Sequence, residues 1–497
     1  MEKTTCLKAK YVIGFENDEH VVYENGQVVF RGDTILYCGN DYDGQADETI
    51  DLGLSIISPG FIDLDSDIDT DHSLIDVAFP KSGKDEDRFQ INRAVRRGDP
   101  YTDEDYLTRQ KYSIAQLIKN GITTAMPIEG ELFHGFSQSY REHELLAQAS
   151  VEMGMRMYVG PSFKSATDRK LYIDVDKERE KQSFEDAIKF FDKFNGIEGD
   201  LIRSFVNPCQ LAITRKEILL DAFEFAKCKN APYRLHACEG VHEWEYTKHH
   251  FGMTTIDWFE SIGLLGDNLL IPHCVTAKNS ELKKLAQNGV SVIHTPFAEA
   301  HVGSALLSFG KYAAYGINMT MGTDAQPNDM IRNMRFAWDL DRLCFRKRMF
   351  FRYHEDGTAE QLLSYEPDYP RTTAKTFFDA ATINGAVALR RDDIGKLCKG
   401  AKADIISVDL NDIQVGPYQD VLRTLIVSCT GANVTNTIIN GKFVMRDKHL
   451  IGIDEEKLLA EGQKVYNKFL SLYEEYDAKG RSFQSFFPDS LKLIKKD

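Results

Sequence analysis

The sequence lacks the surplus of basic residues that nucleic-acid binding requires. It contains 60 Lys and Arg residues against 76 Asp and Glu residues, which gives a formal net charge of −16 at pH 7. A protein that binds the phosphate backbone presents a basic face to it. We therefore expect no nucleic-acid partner.

Long apolar runs and clustered cysteines are also missing. No stretch approaches the roughly 18 apolar residues that span a bilayer, and residues 1–15 lack the apolar centre of a signal peptide. The nine cysteines are an odd number without clustered spacing, which is typical of reduced thiols rather than of a disulfide framework. These absences predict a cytoplasmic protein with no membrane partner.

What the chain does contain is a change of pattern near residue 61. Before it, short β-rich runs alternate with turns, and Asn25-Gly26 predicts a β-hairpin turn. After it, eight apolar runs alternate with amphipathic segments, as in repeated βα units. The predicted strands are 62–64, 123–128, 156–161, 201–207, 233–237, 269–273, 290–295 and 318–322. Their number and spacing match a TIM-type (β/α)8 barrel of the α/β class.

The β pattern returns after residue 389, including the run 424–447. We expect the two ends of the chain to form one small composite β-sandwich beside the barrel. The predicted division is 1–60 for the N-terminal part of the sandwich, 61–389 for the barrel, 390–455 for the C-terminal part, and 456–497 for a helix and tail. The polar segment 81–104 is long for a loop, which is compatible with a lid or with a surface insert.

Five aspartates occupy alternate positions after the first barrel strand begins: Asp63, Asp65, Asp67, Asp69 and Asp71. Alternate side chains of a strand share one face, so these carboxylates would lie together. Like charges at such spacing repel and raise one another's pKa unless a cation or hydrogen-bond donors offset them. The pattern therefore predicts a metal site or a pocket for a cationic group.

Other ionisable side chains follow the later strands. Barrel active sites lie at the carboxyl ends of the strands, and His, Asp and Glu both bind divalent cations and exchange protons near neutral pH. Five strand ends supply such groups: Asp65 and Asp67, then His236 and Glu239, then His273, His294 and Asp324. This order predicts an active site at one mouth of the barrel.

Several ordered motifs carry a resemblance to a known family. They are SPGFID at 58–63, NGITTAMPI at 120–128, LHACE at 235–239, IGLLGDNLLIPHC at 262–274, NGVSVIHTP at 288–296 and GINMTMGTDAQPNDM at 316–330. In these motifs the chain resembles the amidohydrolase superfamily, within the branch that holds aminohydrolases and chlorohydrolases such as deaminases and triazine hydrolases. The resemblance runs across nearly the whole chain and implies a mononuclear metal site.

The resemblance also implies a role for each site residue. His236 would be a metal ligand, and Asp324 a ligand that also accepts a proton from the attacking water. Glu239 would be the general acid and base that protonates the leaving nitrogen. His273 would orient the attacked carbon or the water.

The chain departs from the family at the first strand, where the usual pattern after PGFID is His-x-His. Here Asp65 and Asp67 hold those positions. Two anions in place of two neutral ligands would over-neutralise a divalent cation. Oxygen ligands also favour harder ions, although Zn²⁺ accepts carboxylates. We expect one divalent ion, Zn, Fe or Mn, held by a set of four residues: Asp65, Asp67, His236 and Asp324.

The function that the resemblance implies is metal-dependent hydrolysis of a non-peptide carbon–nitrogen bond. Deamination of an amino-heterocycle or an amidine- or guanidine-like small molecule is expected first. Ring opening of a cyclic amide is an alternative, and so is a metal-free member whose acidic pocket binds a cationic ligand as a binding or scaffold protein. A homo-oligomer is the usual state of this architecture.

The segment TPFAEAHVG after His294 supplies the predicted substrate contacts. It places Glu299 and His301 where aminohydrolase relatives usually carry a Ser-Asn pair. We expect His294, Glu299 and His301 to contact the substrate. A surface position for Glu299 and His301 is an equally open alternative.

Overall fold

The architecture comes from a computed structural model. It describes residues 2–68, 100–128, 140–166, 175–306, 308–345, 351–356, 358–361, 369–476 and 480–494. Most of the predicted lid segment, residues 81–99, lies outside these ranges, as do Asp69 and Asp71.

The strands, labelled in chain order, are β1 Thr4–Glu16, β2 Glu19–Arg31, β3 Thr34–Gly39, β4 Glu48–Asp51, β5 Ser55–Pro59, β6 Phe61–Asp67, β7 Ile122–Ile128, β8 Arg156–Val159, β9 Ser162–Phe163, β10 Ile202–Ser204, β11 Asn207–Pro208, β12 Tyr233–Arg234, β13 Leu269–Pro272, β14 Ser291–His294, β15 Asn318–Met321, β16 Phe351–Tyr353, β17 Ala359–Gln361, β18 Ile405–Asp409, β19 Val434–Ile439, β20 Lys442–Arg446 and β21 His449–Leu450.

The helices are α1 Asp103–Lys119, α2 Tyr140–Met153, α3 Lys177–Phe194, α4 Ile197–Asp200, α5 Lys216–Cys228, α6 Val241–Phe251, α7 Thr255–Ile262, α8 Asn279–Gln287, α9 Pro296–His301, α10 Phe309–Ala314, α11 Met330–Phe345, α12 Ala374–Ala380, α13 Ile383–Ala388, α14 Val421–Ser428, α15 Glu455–Tyr476 and α16 Phe483–Phe486. Among these described helices, none combines the length and apolarity needed to cross a membrane.

All eight predicted strands of the βα region are present; β6 and β7 are longer than predicted, and the other six are shorter. They form two four-stranded parallel sheets, ordered β10-β8-β7-β6 and β12-β13-β14-β15. Single bridges join the two sheets at both junctions, Ser66 to Asp324 and Val206 to Tyr233. The α/β class and the order of a TIM-type fold are therefore confirmed, while the described strands do not close into one continuous barrel ladder.

The two ends of the chain meet in one nine-stranded sheet. Its order is β21-β20-β19-β18-β5-β1-β2-β3, with β4 on β1. Strand β18, from the C-terminal part, pairs antiparallel with β5, from the N-terminal part. The expectation that the termini fold together is confirmed, whereas the sandwich arrangement and the domain bounds stay predictions.

The predicted hairpin turn at Asn25-Gly26 is wrong. Strand β2 runs through this position, and Gly26 pairs with Ala9 of β1. A Cβ atom at Gly26 would lie 2.8 Å from Val12, so glycine is required here by a close side-chain approach. The turn instead lies at Asn17 and Asp18, whose φ angles are 50° and 62°. Asn and Asp tolerate this left-handed backbone better than other side chains do.

The predicted β run beginning at residue 424 is also wrong in its first part, which belongs to helix α14. The Asp420 carboxylate accepts a hydrogen bond of 2.7 Å from the Arg423 N–H and so caps this helix. Leu425 and Ile426 are buried against the core. An N-cap and tertiary packing thus override the β-branched composition of this segment.

The predicted C-terminal helix is confirmed as α15. Its apolar face packs Val465, Phe469 and Tyr473 in one cluster with Tyr101 and Tyr106 near the start of α1.

Candidate active site

Strand β6 carries the first three of the five alternating aspartates, Asp63, Asp65 and Asp67, and all three are buried. Asp63 does not face a cation: its carboxylate accepts bonds from Thr323 N–H at 3.0 Å and from the Thr323 hydroxyl at 2.6 Å. Burial raises the pKa of Asp63 to about 6, against the lowering effect of these bonds. Asp63 therefore links β6, the first strand of the βα region, to the segment that follows β15, its last strand.

Two backbone hydrogen bonds also join β6 to the segment after β15, and they bring Asp324 next to Asp65 and Asp67. The Asp324 N–H donates to the Asp65 carbonyl at 2.5 Å, and the Asp67 N–H donates to the Asp324 carbonyl at 3.0 Å. The first and last strand ends, far apart in sequence, thus lie side by side.

The Asp65 side chain is fully buried, with one oxygen toward a histidine and the other toward an arginine. Its Oδ2 lies 3.7 Å from His236 Nε2. Its Oδ1 lies 3.0 Å from Arg234 Nη1. Burial would raise the pKa of Asp65, but the charges of His236 and Arg234 hold it below its usual value.

Neither carboxylate oxygen of Asp65 has a hydrogen-bond partner among the described residues. The reason is the geometry of Arg234, whose Nη1 donates to the carbonyls of Leu64 at 3.1 Å and Met126 at 2.8 Å. Both hydrogens of this nitrogen are thus used, so the arginine pairs with Asp65 by charge alone. The lone pairs of Asp65 remain available to a cation.

The ligand atoms of Asp65, His236 and His273 all lie within 4.8 Å of one another. One carboxylate and two imidazoles are a donor set that suits a divalent ion. The side chains present therefore fit the metal that the sequence predicts.

The other predicted ligands, Asp67 and Asp324, lie outside this group of three. Asp67 is buried at the end of β6. Asp324 Oδ2 lies 3.8 Å from His273 Nε2. The roles of both as ligands stay predictions, as does the role of His273 in orienting the water or the attacked carbon.

His273 is held among carboxylates. Its Nδ1 lies 2.8 Å from the Thr295 hydroxyl. Burial alone would lower the pKa of His273, but Glu239, Asp324 and other nearby carboxylates raise it above the usual value.

The ends of the site strands adopt strained backbone. Cys238, His273 and Asp324 have φ angles of 57°, 63° and 50°. Left-handed backbone costs a non-glycine residue about 1–2 kcal/mol, and such strain is concentrated at functional sites. Here it coincides with the segments that carry the predicted catalytic groups.

Two residues that sequence reasoning missed support Glu239. Gln210 Nε2 donates to Glu239 Oε2 at 3.0 Å. The buried Glu243 carboxylate accepts from the Cys238 N–H at 2.7 Å and from the Thr255 hydroxyl at 2.5 Å. Burial raises the pKa of Glu243 to about 7. The four-residue spacing from Glu239 to Glu243 is a local signal, whereas nothing in the sequence indicates Gln210.

His294 and Glu299 lie behind His273 rather than at the surface. His294 Nδ1 is 3.1 Å from Glu299 Oε1, and the second oxygen of Glu299 accepts from the Leu306 N–H at 2.8 Å. Both side chains are buried, so the surface alternative is wrong for Glu299. His301, at the end of α9, is half-buried. Contact of these three residues with a substrate stays a prediction.

Comparison with known proteins agrees with this geometry. The sequence profile described as "Amidohydrolase family" matches residues 56–444. The chain belongs to the amidohydrolase family. The predicted class, a hydrolase of carbon–nitrogen bonds in the deaminase-like branch, is confirmed at this level.

This amidohydrolase is similar to curated deaminases over most of its length. It is 24% identical over 449 residues to 5-methylthioadenosine/S-adenosylhomocysteine deaminase of Pyrococcus abyssi, covering 87% of this chain and 92% of the relative.

Solved structures of low sequence identity share its fold. An adenosine deaminase from Xanthomonas campestris with bound zinc is 20% identical, with a TM-score of 0.76 over 94% of this chain and 98% of the other. A zinc complex of atrazine chlorohydrolase from Arthrobacter aurescens TC1 is 17% identical, with a TM-score of 0.75 over 93% of this chain and 100% of the other.

Proposed function

We propose that this amidohydrolase catalyses metal-dependent hydrolytic deamination of an amino-heterocycle, with an adenine nucleoside as the first candidate substrate. The observation that carries the proposal is the group formed by Asp65, His236 and His273, with Glu239 on the same strand end as His236. Names of relatives support the substrate class, because those relatives are deaminases of adenine nucleosides.

Asp65, His236 and His273 would hold the divalent ion, with Asp67 and Asp324 beside them. When bound, such an ion supplies a Lewis acid that lowers the pKa of water toward neutral. The zinc in the two structural relatives supports Zn²⁺ as the first ion to test, with Fe²⁺ and Mn²⁺ as alternatives.

The chain's own residues move the protons. The oxygen of water adds to the ring carbon, the exocyclic C–N bond breaks, and ammonia leaves. The two protons of water end on the ring nitrogen and on the departing ammonia. Glu239 would carry a proton to the leaving nitrogen, and Asp324 would accept one from the attacking water. His273 would serve as a ligand of the ion in this scheme, in place of the orienting role that the resemblance implies.

A structural proposal accompanies the chemical one. We infer that β6 to β15 belong to a TIM-type barrel covering 61–389, with the nine-stranded sheet of the termini (1–60 and 390–455) as a small sandwich beside it. The family match over 56–444 and the similarity to the zinc-containing structures support this division.

Metal analysis tests the site directly. Purified wild-type protein is expected to contain stoichiometric metal, and Asp65→Asn and Asp67→Asn are expected to lose most of it, because each removes an anionic ligand. The exposed Asp43 supplies a control, Asp43→Asn, that should keep its metal. Metal-free wild-type protein that no added dication activates would contradict the proposal.

A substrate panel separates the remaining activities. Adenine nucleosides, guanine, aminotriazines and guanidines are tested for ammonia release, and cyclic amides for ring opening. Ammonia release from an amino-heterocycle supports the deaminase. Turnover of cyclic amides alone would favour the ring-opening alternative. If no compound turns over and none shifts the melting temperature, the binding or scaffold alternative replaces the proposal.

A further inference from the structure

Arg234 is a fully buried arginine directly beneath the site. Its side chain has no exposed surface, and it is the last residue of β12, two residues before His236. Besides the two carbonyls bound by Nη1, its Nη2 donates to the Pro127 carbonyl at 2.8 Å. Its guanidinium also lies over the Phe205 ring, 4.8 Å from the centroid. The position of its charge is therefore fixed.

That charge faces the carboxylate that departs from the family pattern. Arg234 Nη1 and Asp65 Oδ1 are 3.0 Å apart, and neither side chain is exposed. A buried ion without a partner costs several kcal/mol, so each charge requires the other in the absence of a metal. The carbonyl bonds nevertheless use the hydrogens of Nη1, which leaves Asp65 free to act as a ligand.

We propose that Arg234 is a positioning residue that makes Asp65 an electrically neutral metal ligand. This inference rests on the proposed metal site. The pair of Asp65 and Arg234 has no net charge, as a neutral imidazole has none. The arginine occupies the side of Oδ1 and leaves Oδ2 toward His236. The sequence predicts that Asp65 and Asp67 together would place too much negative charge on a bound divalent cation. Arg234 offsets that excess at Asp65.

A purely structural role for Arg234 gives a different result. If it only ties strand ends together through carbonyls, its loss weakens the fold and leaves metal affinity unchanged or lower. If it compensates Asp65, its loss weakens the metal-free fold but strengthens metal binding, because the metal becomes the only counter-charge. The two roles therefore predict opposite changes in affinity.

The experiment compares Arg234→Met with a matched control, Arg156→Met. Arg156 is also fully buried and ion-paired, with Asp404, but it begins strand β8, at the opposite end from the site. For each protein, metal is stripped, the melting temperature is measured with and without Zn²⁺ or Mn²⁺, and the Kd is measured by competition with a chromogenic chelator.

The expected result separates the two arginines. Arg234→Met lowers the melting temperature of the metal-stripped protein. Added metal raises that melting temperature by more than it does in wild type, and the metal binds more tightly, by about 10-fold or more. Arg156→Met lowers the melting temperature but leaves the Kd and the metal-induced increase as in wild type. An Arg234→Met protein that folds and binds metal no more tightly than wild type overturns the inference.

A second set of variants covers failure of Arg234→Met to fold. Asp65→Asn with Arg234→Met removes both buried charges, and Arg234→Lys retains the positive charge. The double variant should fold without metal where Arg234→Met does not, because no uncompensated buried charge remains, and Arg234→Lys should keep a Kd close to wild type. A double variant that also fails to fold, or an Arg234→Lys protein whose Kd departs from wild type, overturns the inference. Wild-type protein that binds no metal instead overturns the proposed function, which distinguishes the two failures.

Discussion

Gln210 holds one oxygen of Glu239 through a bond of 3.0 Å. It lies after β11, and its backbone forms a bridge to His236, so one short loop contacts both the predicted metal ligand and the predicted proton carrier. At the scale of single residues, the site thus depends on polar groups that orient the reacting ones.

Replacing Gln210 with leucine tests this dependence. A hydrogen bond to a charged group contributes about 1.5–3 kcal/mol. We expect Gln210→Leu to lower kcat by about 10-fold or more, with a smaller change in KM, because Glu239 loses its orientation. Steady-state kinetics on the first active compound of the panel measure this.

The control is Gln182→Leu, which removes an exposed glutamine bonded to Asp186 on α3. It should leave kcat and KM as in wild type. Equal kinetics for Gln210→Leu and wild type would show that Glu239 does not need this amide.

At the scale of elements, His20 joins the hairpin of β1 and β2 to the segment that carries helices α12 and α13. Its Nε2 lies 3.1 Å from the Thr382 hydroxyl, and its ring contacts Phe15 and Phe378. Burial lowers the pKa of His20 to about 4. The folded hairpin therefore keeps this ring uncharged at neutral pH.

This lowered pKa predicts a pH-dependent stability. Below about pH 6.5 the unfolded chain binds a proton on His20 that the folded protein does not, so the free energy of unfolding falls as the pH drops toward 4. The loss attributable to this group is about 3 kcal/mol at most. We expect His20→Gln to lose that part of the slope in denaturant unfolding measured across this range.

His449→Gln is the control, because His449 is exposed on β21 of the same nine-stranded sheet. It should retain the pH slope of the wild type. Parallel stability curves for wild type and His20→Gln would mean that other groups control acid unfolding.

At the scale of the whole molecule, a buried ion pair joins the parallel strands to the sheet of the termini. Arg156 at the start of β8 contacts Asp404, just before β18, through bonds of 2.9 Å and 3.1 Å. The same arginine donates to the Asn440 amide oxygen at 3.1 Å, and Asp404 accepts from the Asn440 N–H at 2.7 Å. The contacts of Arg156 with Asp404 and Asn440 cross from the parallel strands to the sheet of the termini, whereas the bond between Asp404 and Asn440 lies within that sheet.

Loss of this pair should destabilise the whole chain. Arg156→Met leaves Asp404 buried without its counter-charge, so we expect the free energy of unfolding to fall by about 3–5 kcal/mol. The double variant Arg156→Met with Asp404→Leu should recover part of this loss, because no uncompensated charge remains.

Chemical denaturation followed by circular dichroism measures the free energy of unfolding of Arg156→Met and of the double variant. Arg141→Met, which removes an exposed pair with Asp103, should change the free energy of unfolding little by comparison. A loss in Arg156→Met as small as that of Arg141→Met would show that the two sheets do not depend on this contact.

Local patterns in the sequence predicted much of this protein. Short apolar runs located the eight parallel strands, because a buried strand requires apolar residues at neighbouring positions of the sequence. Strand ends then located Asp65, His236, Glu239 and His273, since parallel strands present their carboxyl ends at one edge. The hairpin turn and helix α14 were missed because packing against distant residues decided them.

The sequence by itself thus determined the order of the strands, the family and the residue types at the site. Only the tertiary structure decided which charges compensate one another. Arg234 reaches Asp65 from another strand, Gln210 reaches Glu239 from another loop, and Glu299 is buried behind His273. Such contacts join residues distant along the chain, and the sign and cost of a buried charge depend on what lies within a few ångströms of it in space.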